Sequence, residues 1–340
     1  NGGCQSESGT TDLTTSTAGP TSTSNGSLDD ATGSMPCTAD EDCIDPMIPI
    51  CMDGRCVACT PENPVACDDQ LLLCNGATNS CVGCTEHGQC RSEACELATG
   101  RCFPEDLVLY VDGDELAMPP QRYASIVTAV AAVPEQAHAV IIVHEYGATG
   151  DSSYAAGVLV DGGKSIALLA ASGESPIIRG AAGNPGVRVR ESGTALYVDG
   201  IQISDNLGNI GVEVSSGASA WLDRSKVVRN TGGGILAQDG AMLTLRNCFV
   251  DGDDGFNVLM SQESTIDVIY STLGAGLGAS TALACDETST VTVRNSLLVS
   301  LDFGDEVDCP DSSFLASHSA AEHALNGTDN VVLGIMDGMD

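Results

Sequence analysis

The sequence predicts an all-β solenoid that is preceded by a small disulfide-rich region and a disordered tail. The first observation is an internal repeat: "GTALYVDGIQISDN" at 193–206 and "GASAWLDRSKVVRN" at 217–230 share a frame of Gly, alternating apolar residues, a central Asp and a final Asn. The second is that twelve of the 16 cysteines fall between residues 37 and 102. The third is a Ser/Thr-rich stretch before them. These features divide the chain into predicted regions 1–36, 37–104 and 105–340.

Residues 1–36 are predicted to be a disordered tether. Fifteen of the 31 residues from 5 to 35 are Ser or Thr, and such a segment cannot bury enough apolar surface to offset its ordering entropy. It follows "NGGC", in which Cys4 resembles the cysteine of a bacterial lipobox. Two interpretations of Cys4 stay open: a lipid-modified residue that anchors the chain to a membrane, or an unpaired or intermolecular cysteine. The sequence does not begin with Met, so we expect a trimmed product whose targeting segment lies upstream.

Residues 37–104 carry three blocks of four cysteines. The blocks are Cys37, Cys43, Cys51 and Cys56; Cys59, Cys67, Cys74 and Cys81; and Cys84, Cys90, Cys95 and Cys102. Each block has too few apolar residues for a core, so we expect two disulfides per block, with a connectivity that the sequence leaves undetermined. The alternative is zinc, because Cys56-x-x-Cys59 and Cys81-x-x-Cys84 approach the spacing of a zinc ribbon. The blocks resemble short Cys-rich repeats of bacterial surface proteins, which implies a secreted, outer-membrane or cell-surface location in an oxidising compartment.

Residues 105–340 align in coils of about 22 to 25 residues. Each coil begins with a strand in which apolar residues recur at every second position and therefore point inward, while the residues between them point outward. After a turn, a second strand repeats the alternation. The predicted inward pairs of the first strand are Leu196/Val198, Ala220/Leu222, Leu243/Leu245, Ile266/Val268 and Val291/Val293; those of the second are Ile201/Ile203, Ser225/Val227, Cys248/Val250, Ser271/Leu273 and Ser296/Leu298; the outward residues are Tyr197, Trp221, Thr244, Asp267 and Thr292. A coil cannot bury its apolar face alone, so stacking must make these faces continuous.

An amphipathic helix is predicted at 123–133, where Tyr123, Ile126, Val127 and Val130 recur at helical spacing. Such a helix would cover the open edge of the first coil. The segment "LYVDGDELAMPPQRYASIVTAVAAVPEQAHAVIIVHEYGATGDSSY" resembles the opening of right-handed parallel β-helix proteins of the pectin lyase-like superfamily. The resemblance covers residues 105–335 and implies a right-handed parallel β-helix with an N-terminal capping helix. Stacked at the spacing of paired strands, about eight coils would make a rod of about 40 Å.

The composition restricts the partners. The chain has 47 acidic and 13 basic residues and a formal net charge of −34. Nucleic acids and anionic lipids need clustered Lys or Arg, so neither is an expected partner. No apolar run in the sequence reaches transmembrane length, so membrane association is expected only through a lipid on Cys4. We therefore expect a polysaccharide or a cell-surface partner.

The resembled superfamily implies two kinds of catalytic residue set. Its hydrolases carry Asn-Thr-Asp, Asp-Asp, Gly-His-Gly and Arg-x-Lys on consecutive coils, and its calcium-dependent lyases pair an Asp cluster with an Arg base. This chain has "DGDDG", so in an enzyme the acid/base residues would be Asp251, Asp253 and Asp254. The same carboxylates are candidates for Ca²⁺, the one cofactor considered, and a solvated acidic turn is the simpler interpretation. Arg246 and Arg294, which recur in "RN", are interpreted as a ladder at equivalent turns.

The sequence therefore favours a secreted or cell-surface β-helix protein that binds glycans or a partner surface without catalysis. Tyr197 and Trp221 are the predicted ligand-binding residues, because outward aromatic rings on adjacent coils form a plausible sugar platform. The alternative for this pair is packing across coils under a loop. Two other functions stay open: a polysaccharide lyase or glycoside hydrolase, and a purely structural spacer.

The remaining cysteines give two predictions. Cys285 and Cys309 lie one coil apart at the end of the same strand, so a disulfide is predicted between them. Cys248 faces inward in the stack of the second strand and is predicted to be a buried free thiol. We also expect residues 105–340 to fold without residues 1–104, because no predicted core stack includes the cysteine blocks.

Overall fold

The computed structural model describes residues 36–113, 121–147, 153–155, 157–180, 183–252, 257–276, 281–300 and 305–333. From Val108 onward the described chain is a right-handed parallel β-helix. It makes about seven turns rather than the eight predicted, because the residues before 138 form entry strands and a capping helix instead of a complete coil. Cys4 and the tether lie outside the described residues, except for Pro36 at its end.

Three parallel sheets run along the rod, because each strand pairs with the equivalent strand one coil later. The described strands of sheet 1 are Val108–Val111, Arg122–Tyr123, His138–Val143, Ser165–Ala170, Ala195–Asp199, Ser219–Asp223, Met242–Arg246, Thr265–Ile269, Thr290–Arg294, Phe314–Ser317 and Gly327–Thr328. Those of sheet 2 are Tyr154–Ala155, Ile177–Arg179, Gln202–Ser204, Lys226–Val228, Phe249–Gly252, Thr272–Ala275, Leu297–Ser300, Ala320–Ala321 and Val331–Val332. Those of sheet 3 are Val158–Val160, Val187–Arg190, Val212–Ser215, Ile235–Gln238, Leu259–Gln262, Leu283–Cys285 and Val307–Asp308.

The interior of the rod is a single apolar stack to which all three sheets contribute. The inward pairs predicted for the first two strands of each coil are buried, which confirms the predicted register. Except where they lead to Cys285 and Cys309, the strands of sheet 3 were not predicted. Their alternation is short, as in Val212 and Val214, so it does not stand out from the turns between coils.

Polar ladders explain the Asn that ends the repeated frame and the Ser that recurs before sheet 2. Asn206 and Asn230 are fully buried, and Asn206 Nδ2 donates to Asn230 Oδ1 at 2.6 Å. Ser225 Oγ donates to the carbonyl of Asp223 at 2.8 Å and accepts the N–H of Ile201 at 3.4 Å. Such side chains satisfy backbone groups that stacking removes from water.

The helix at the N-terminal end of the rod is Ile126–Ala132, shorter than the predicted 123–133. Ser125 caps it by accepting the N–H of Thr128 at 3.3 Å, while Tyr123 belongs to a short strand. Ile126 and Val130 are buried as predicted, but Val127 is 39% exposed, because the buried face runs through Ala129 instead. None of the helices in the described chain is long and apolar enough to span a membrane.

Each cysteine block folds into a small hairpin unit. The hairpins are Ile50–Met52 with Arg55–Val57, Leu73–Asn75 with Ser80–Val82, and Cys95–Glu96 with Arg101–Cys102; the short helices are Asp40–Asp42, Val65–Asp68 and His87–Gln89. Every block joins its first cysteine to its third and its second to its fourth. The zinc alternative is therefore replaced by six disulfides, because a bridged sulfur is not the thiolate that zinc binds.

Candidate functional site

The third cysteine block packs on the outward face of sheet 1. Phe103 is 2% exposed, and together with Ala94 and the half-buried Leu97 it lies against outward side chains of three successive coils. Those side chains are Val140, Ile142, Ala167, Leu169 and Tyr197. The contact explains why the outside of these coils is apolar, since a soluble rod would otherwise expose a large hydrophobic patch.

Tyr197 and Trp221 point outward in register, as predicted, but they do not form an open aromatic platform. The Tyr197 ring is 5% exposed and meets Phe103 edge to face, with 5.7 Å between ring centroids. Burial raises the pKa of the Tyr197 hydroxyl, and the charge and hydrogen bond of Glu96 add to the effect. Trp221 is half-buried at the margin of the same contact. The sugar-platform prediction is corrected accordingly, because a ring that is covered by Phe103 cannot stack on a sugar.

Two buried carboxylates lie beside the covered face. Asp199 and Asp223 are the central Asp residues of the repeated frame, stand in register on adjacent coils and are 5% and 3% exposed. Arg224 donates to both oxygens of Asp199, with Nε 2.8 Å from Oδ1. Arg246 Nη2 donates to Asp223 Oδ2 at 2.6 Å. These hydrogen bonds raise the pKa of both guanidinium groups, and each buried charge has its partner one turn further along the chain.

His87, at the start of the short helix His87–Gln89, completes this cluster from the third block. The ring is 7% exposed, Nδ1 accepts the N–H of Cys95 at 3.0 Å, and Nε2 lies 3.9 Å from Asp199 Oδ2. Burial lowers the pKa of His87, against the attraction of Asp199 and Asp223. His87 was not predicted, because a contact between regions so distant in the chain leaves no local pattern.

A second surface, which we call the ridge, lies on the turn between sheets 1 and 2. The ridge consists of one exposed residue per coil, namely Arg224, Asn247, Tyr270, Asn295 and His318. Each has a φ between 47° and 54°, which L-residues other than Asn and Asp rarely adopt. Each main-chain N–H also donates to a carbonyl of the next coil, as Tyr270 does to Arg294 at 3.1 Å. The turns therefore stack like strands and hold their side chains in one outward file.

The ridge carries one exposed aromatic ring, and a second exposed ring and paired polar groups flank it. Tyr270 is 61% exposed, and Phe249, at the start of the adjacent strand of sheet 2, is 43% exposed. On the sheet 1 side, Asp267 accepts hydrogen bonds from Thr292 Oγ1 at 2.7 Å and from Arg294 Nη2 at 2.5 Å. The repeated "RN" pointed to this turn, and the structure confirms that its residues stack as a ladder. Tyr270 was missed, because nothing in the local sequence shows that the turn imposes a positive φ.

Asp251 lies near Asp205 and its arginine partners, at the end of the sheet 2 strands that is opposite to the ridge. Asp205 accepts from Arg179 Nε at 3.0 Å and from Arg229 Nε at 2.8 Å, and the hydrogen bond with Arg229 lowers the pKa of Asp205 to about 2. The N–H of Arg229 donates to Asp251 Oδ1 at 2.6 Å. Asp253 and Asp254 lie outside the described residues, so the acid/base set and the Ca²⁺ site remain predictions.

The cysteines of the rod are placed as the sequence predicted. A disulfide joins Cys285 to Cys309, with 4.8 Å between the Cα atoms. Cys248 is a buried free thiol, and burial raises its pKa to about 12. Its Sγ lies 3.4 Å from the carbonyl oxygens of Leu222 and Arg246, so the thiol takes the place that a serine hydroxyl has in neighbouring coils. A thiol with this pKa is inert at neutral pH.

Comparison with known proteins gives two family matches and two similar solved structures. Residues 156–321 match the family described as right handed beta helix region, and residues 3–108 match a family of unknown function (DUF8331). Among solved structures, a pectin methylesterase mutant in complex with a hexasaccharide is 10% identical, with 64% of this chain and 70% of that chain covered and a TM-score of 0.40. The Escherichia coli protein YbhC is 13% identical, with 67% and 75% covered and a TM-score of 0.36. The search of curated proteins found no match.

Proposed function

We propose that this protein is a secreted or cell-surface rod that binds a linear polysaccharide along the ridge without cleaving it. The observation that carries the proposal is an exposed aromatic ring, Tyr270, in a file of strained turns. Arg224, Tyr270 and His318 keep large exposed side chains at a left-handed φ, although Gly200 occupies the equivalent turn one coil earlier. Each such residue lowers the stability of the fold by about 1 kcal/mol relative to glycine. Such strain occurs at ligand-binding positions. The turn on the other side of sheet 1 has the same backbone at Ser216, Asp239 and Glu263, so the exposed ring of Tyr270 is what distinguishes the ridge.

The spacing of the ridge suits a polymer. Successive coils are stacked at the distance between hydrogen-bonded strands, about 4.8 Å, which is close to the length of one sugar unit in an extended chain. The ridge offers donors and acceptors from Asn247, Asn295 and His318, on three of its five coils, and hydrogen bonds of this kind fix sugar hydroxyls. Because the turns are locked to one another through the main chain, little ordering of the protein is needed on binding.

The rings of Tyr270 and Phe249 give the ridge an apolar surface for the faces of sugar rings. Both rings are exposed, whereas Tyr197 is covered. The aromatic contact with sugar rings is therefore assigned to Tyr270 and Phe249 instead of Tyr197 and Trp221. Asp329 lies 3.6 Å from the ring of His318. The carboxylates on the sheet 1 side of the ridge, Asp199, Asp223 and Asp267, are each hydrogen-bonded to an arginine. Carboxylates engaged in this way support binding rather than general acid or base catalysis, which needs a group free to exchange a proton.

The disulfides indicate an oxidising environment, which agrees with a location outside the cytoplasm. The net charge of −34 keeps such a rod soluble and repels nucleic acid. A location outside the cytoplasm and a ridge suited to sugars both favour a glycan or cell-surface polysaccharide as the partner.

The test is an array of neutral and acidic linear polysaccharides, followed by affinity measurement on any that are retained. Tyr270→Gly should weaken binding at least tenfold while leaving the free energy of unfolding unchanged or raised by about 1 kcal/mol, because glycine relieves the left-handed backbone. The matched control is Glu263→Gly, which relieves a φ of 49° at the exposed turn on the other side of sheet 1 and should leave binding unchanged.

Two outcomes contradict the proposal. One is that the protein binds no polysaccharide on the array, or that Tyr270→Gly and Glu263→Gly weaken binding equally. The other is the release of reducing ends or unsaturated products from a retained polysaccharide, which would identify the chain as a polysaccharide-degrading enzyme instead.

A further inference from the structure

The contact between the third cysteine block and the rod includes one buried histidine. His87 is 7% exposed and lies between the hairpin residue Cys95 and the outward face of sheet 1. The proposed binding ridge does not use this ring. A buried titratable group at the centre of a contact between two parts of a protein is a candidate for control of that contact.

The hydrogen bond of His87 specifies its neutral form. The N–H of Cys95 donates to Nδ1 at 3.0 Å, so Nδ1 must present its lone pair and the ring proton must reside on Nε2. Nε2 lies 3.9 Å from Asp199 Oδ2, which is beyond hydrogen-bond distance, and it has no hydrogen-bond partner among the described residues. A second proton, on Nδ1, would break the hydrogen bond from the Cys95 N–H and bring two N–H donors face to face.

We propose that His87 is an acid-sensitive latch whose protonation releases the third cysteine block from the outward face of sheet 1. The release would uncover the apolar surface that Phe103 now protects, including the Tyr197 ring. The block remains joined to the rod through the chain at Pro104, so the change is a local opening and not a separation.

Charged groups on both sides of the contact face His87. Asp199 and Asp223 favour the imidazolium, and Arg224 and Arg246 oppose it. Asp199 already accepts from Arg224 through both oxygens, and Asp223 accepts from Arg246 and Asn247. On the helix of His87 itself, Glu86 precedes the ring, and its charge acts on Arg224. The carboxylates are therefore largely neutralised by their own partners, which leaves burial as the dominant influence.

The sign of the pH dependence follows from this balance. Burial lowers the pKa of docked His87 below the ordinary value of 6.5, whereas an undocked, solvated His87 recovers that value. At pH above 6.5 both forms are neutral and docking is at full strength. As the pH falls below 6.5, the undocked form takes up a proton that the docked form does not, so docking weakens by up to tenfold per pH unit until the docked pKa is reached.

The chain contains its own reporter for the experiment. Trp221 is the single tryptophan and is half-buried at the margin of the contact, so its emission and its quenching by acrylamide respond to opening. We expect the full chain to show increased quenching between pH 7.5 and 5, with circular dichroism of the rod unchanged. His87→Asn keeps an acceptor near the Nδ1 position but does not titrate, and should abolish the transition. His138→Asn, an exposed ring 6.1 Å from Phe103, is the matched control and should retain it.

The proposal is wrong if Trp221 shows no transition in this range, or if the transition persists in His87→Asn. Should His87→Asn fail to fold, an NMR titration of the wild-type histidine rings decides the matter. A His87 pKa at or above 6.5 would contradict the latch, and a lowered pKa that coincides with loss of protection of the Cys95 amide would support it.

Discussion

The cysteine blocks and the rod achieve stability by opposite routes. The blocks bury little apolar surface and close loops of 11 to 15 residues with six disulfides, which restricts the unfolded chain. The rod has one disulfide among its described residues and draws its stability from a continuous apolar stack. A block is thus stabilised within itself, whereas a coil of the rod is stabilised by the coils before and after it.

Stability that comes from disulfides and stability that comes from stacked coils are therefore lost in different ways. Loss of one bridge should open one block and leave the rest of the chain folded. Loss of one inward side chain should weaken a whole stack. The contact between Phe103 and sheet 1 belongs to neither route, and it is the place where the two regions can be separated experimentally.

The largest effect is expected from removal of one bridge in the third block. Cys90→Ser with Cys102→Ser should destabilise the block by about 2 to 5 kcal/mol, enough to unfold it, because the block has no core to compensate. Quenching of Trp221 should increase while the β circular dichroism of the rod remains. Loss of that dichroism would show that the block is part of the rod's folding unit, which would also refute the expectation that residues 105–340 fold alone.

A cavity in the stack should have a smaller but still large effect. Leu222 is fully buried between equivalent residues of the adjacent coils, so Leu222→Ala should lower the free energy of unfolding by about 3 kcal/mol in a denaturant titration. Leu315→Ala is the control, since that side chain is 56% exposed and should change stability by less than about 0.5 kcal/mol. Equal effects of the two substitutions would argue against an inward stack.

The asparagine ladder should contribute less than the apolar stack. Asn230→Ala removes the acceptor of both the N–H and the side-chain amide of buried Asn206, and we expect a loss of about 2 kcal/mol by the same titration. Hydrogen exchange at the Asn206 amide should accelerate. If neither changes, water or another group replaces the missing amide and the ladder is not a source of stability.

The smallest effect concerns Asp205, which Arg179 and Arg229 flank. Its pKa is lowered from 3.8 to about 2, so its contribution is fully present above pH 3.8 and is lost as the pH falls through 2. Because both arginines are about half exposed, we expect only about 1 kcal/mol. Asp205→Asn should therefore be less stable than the wild type at pH 6, and the difference should vanish near pH 2. A difference that persists at pH 2 would have to come from packing rather than charge.

The sequence allowed much of the rod to be predicted and little of the binding surface. Alternation within a repeat of fixed length determines which side chains face inward, so Leu196, Leu222 and Leu245 were placed correctly. The bridge from Cys285 to Cys309 followed from the same spacing. The third strand of each coil was too short to recognise, and the connectivity within the cysteine blocks depends on hairpin register that the sequence does not display.

The sites that were missed depend on three-dimensional context. Tyr197 was correctly placed on the outside, but its cover comes from Phe103, nearly a hundred residues earlier in the chain. Tyr270 and His318 became candidates only when the backbone showed that their turns share a left-handed φ. Asp199 and Asp223 were visible as a repeated Asp, yet only the fold shows that they are buried beside His87.

The most direct test of the account is hydroxyl-radical footprinting of the full chain with and without a polysaccharide that the array retains. Oxidation at Tyr270, Phe249 and His318 is read by mass spectrometry, with exposed Tyr110 at the N-terminal end of sheet 1 as the internal reference. The account predicts protection of Tyr270, Phe249 and His318 in the presence of the polysaccharide and unchanged oxidation of Tyr110. Protection confined to other faces of the rod or to the cysteine blocks, with the ridge oxidised as before, would contradict it.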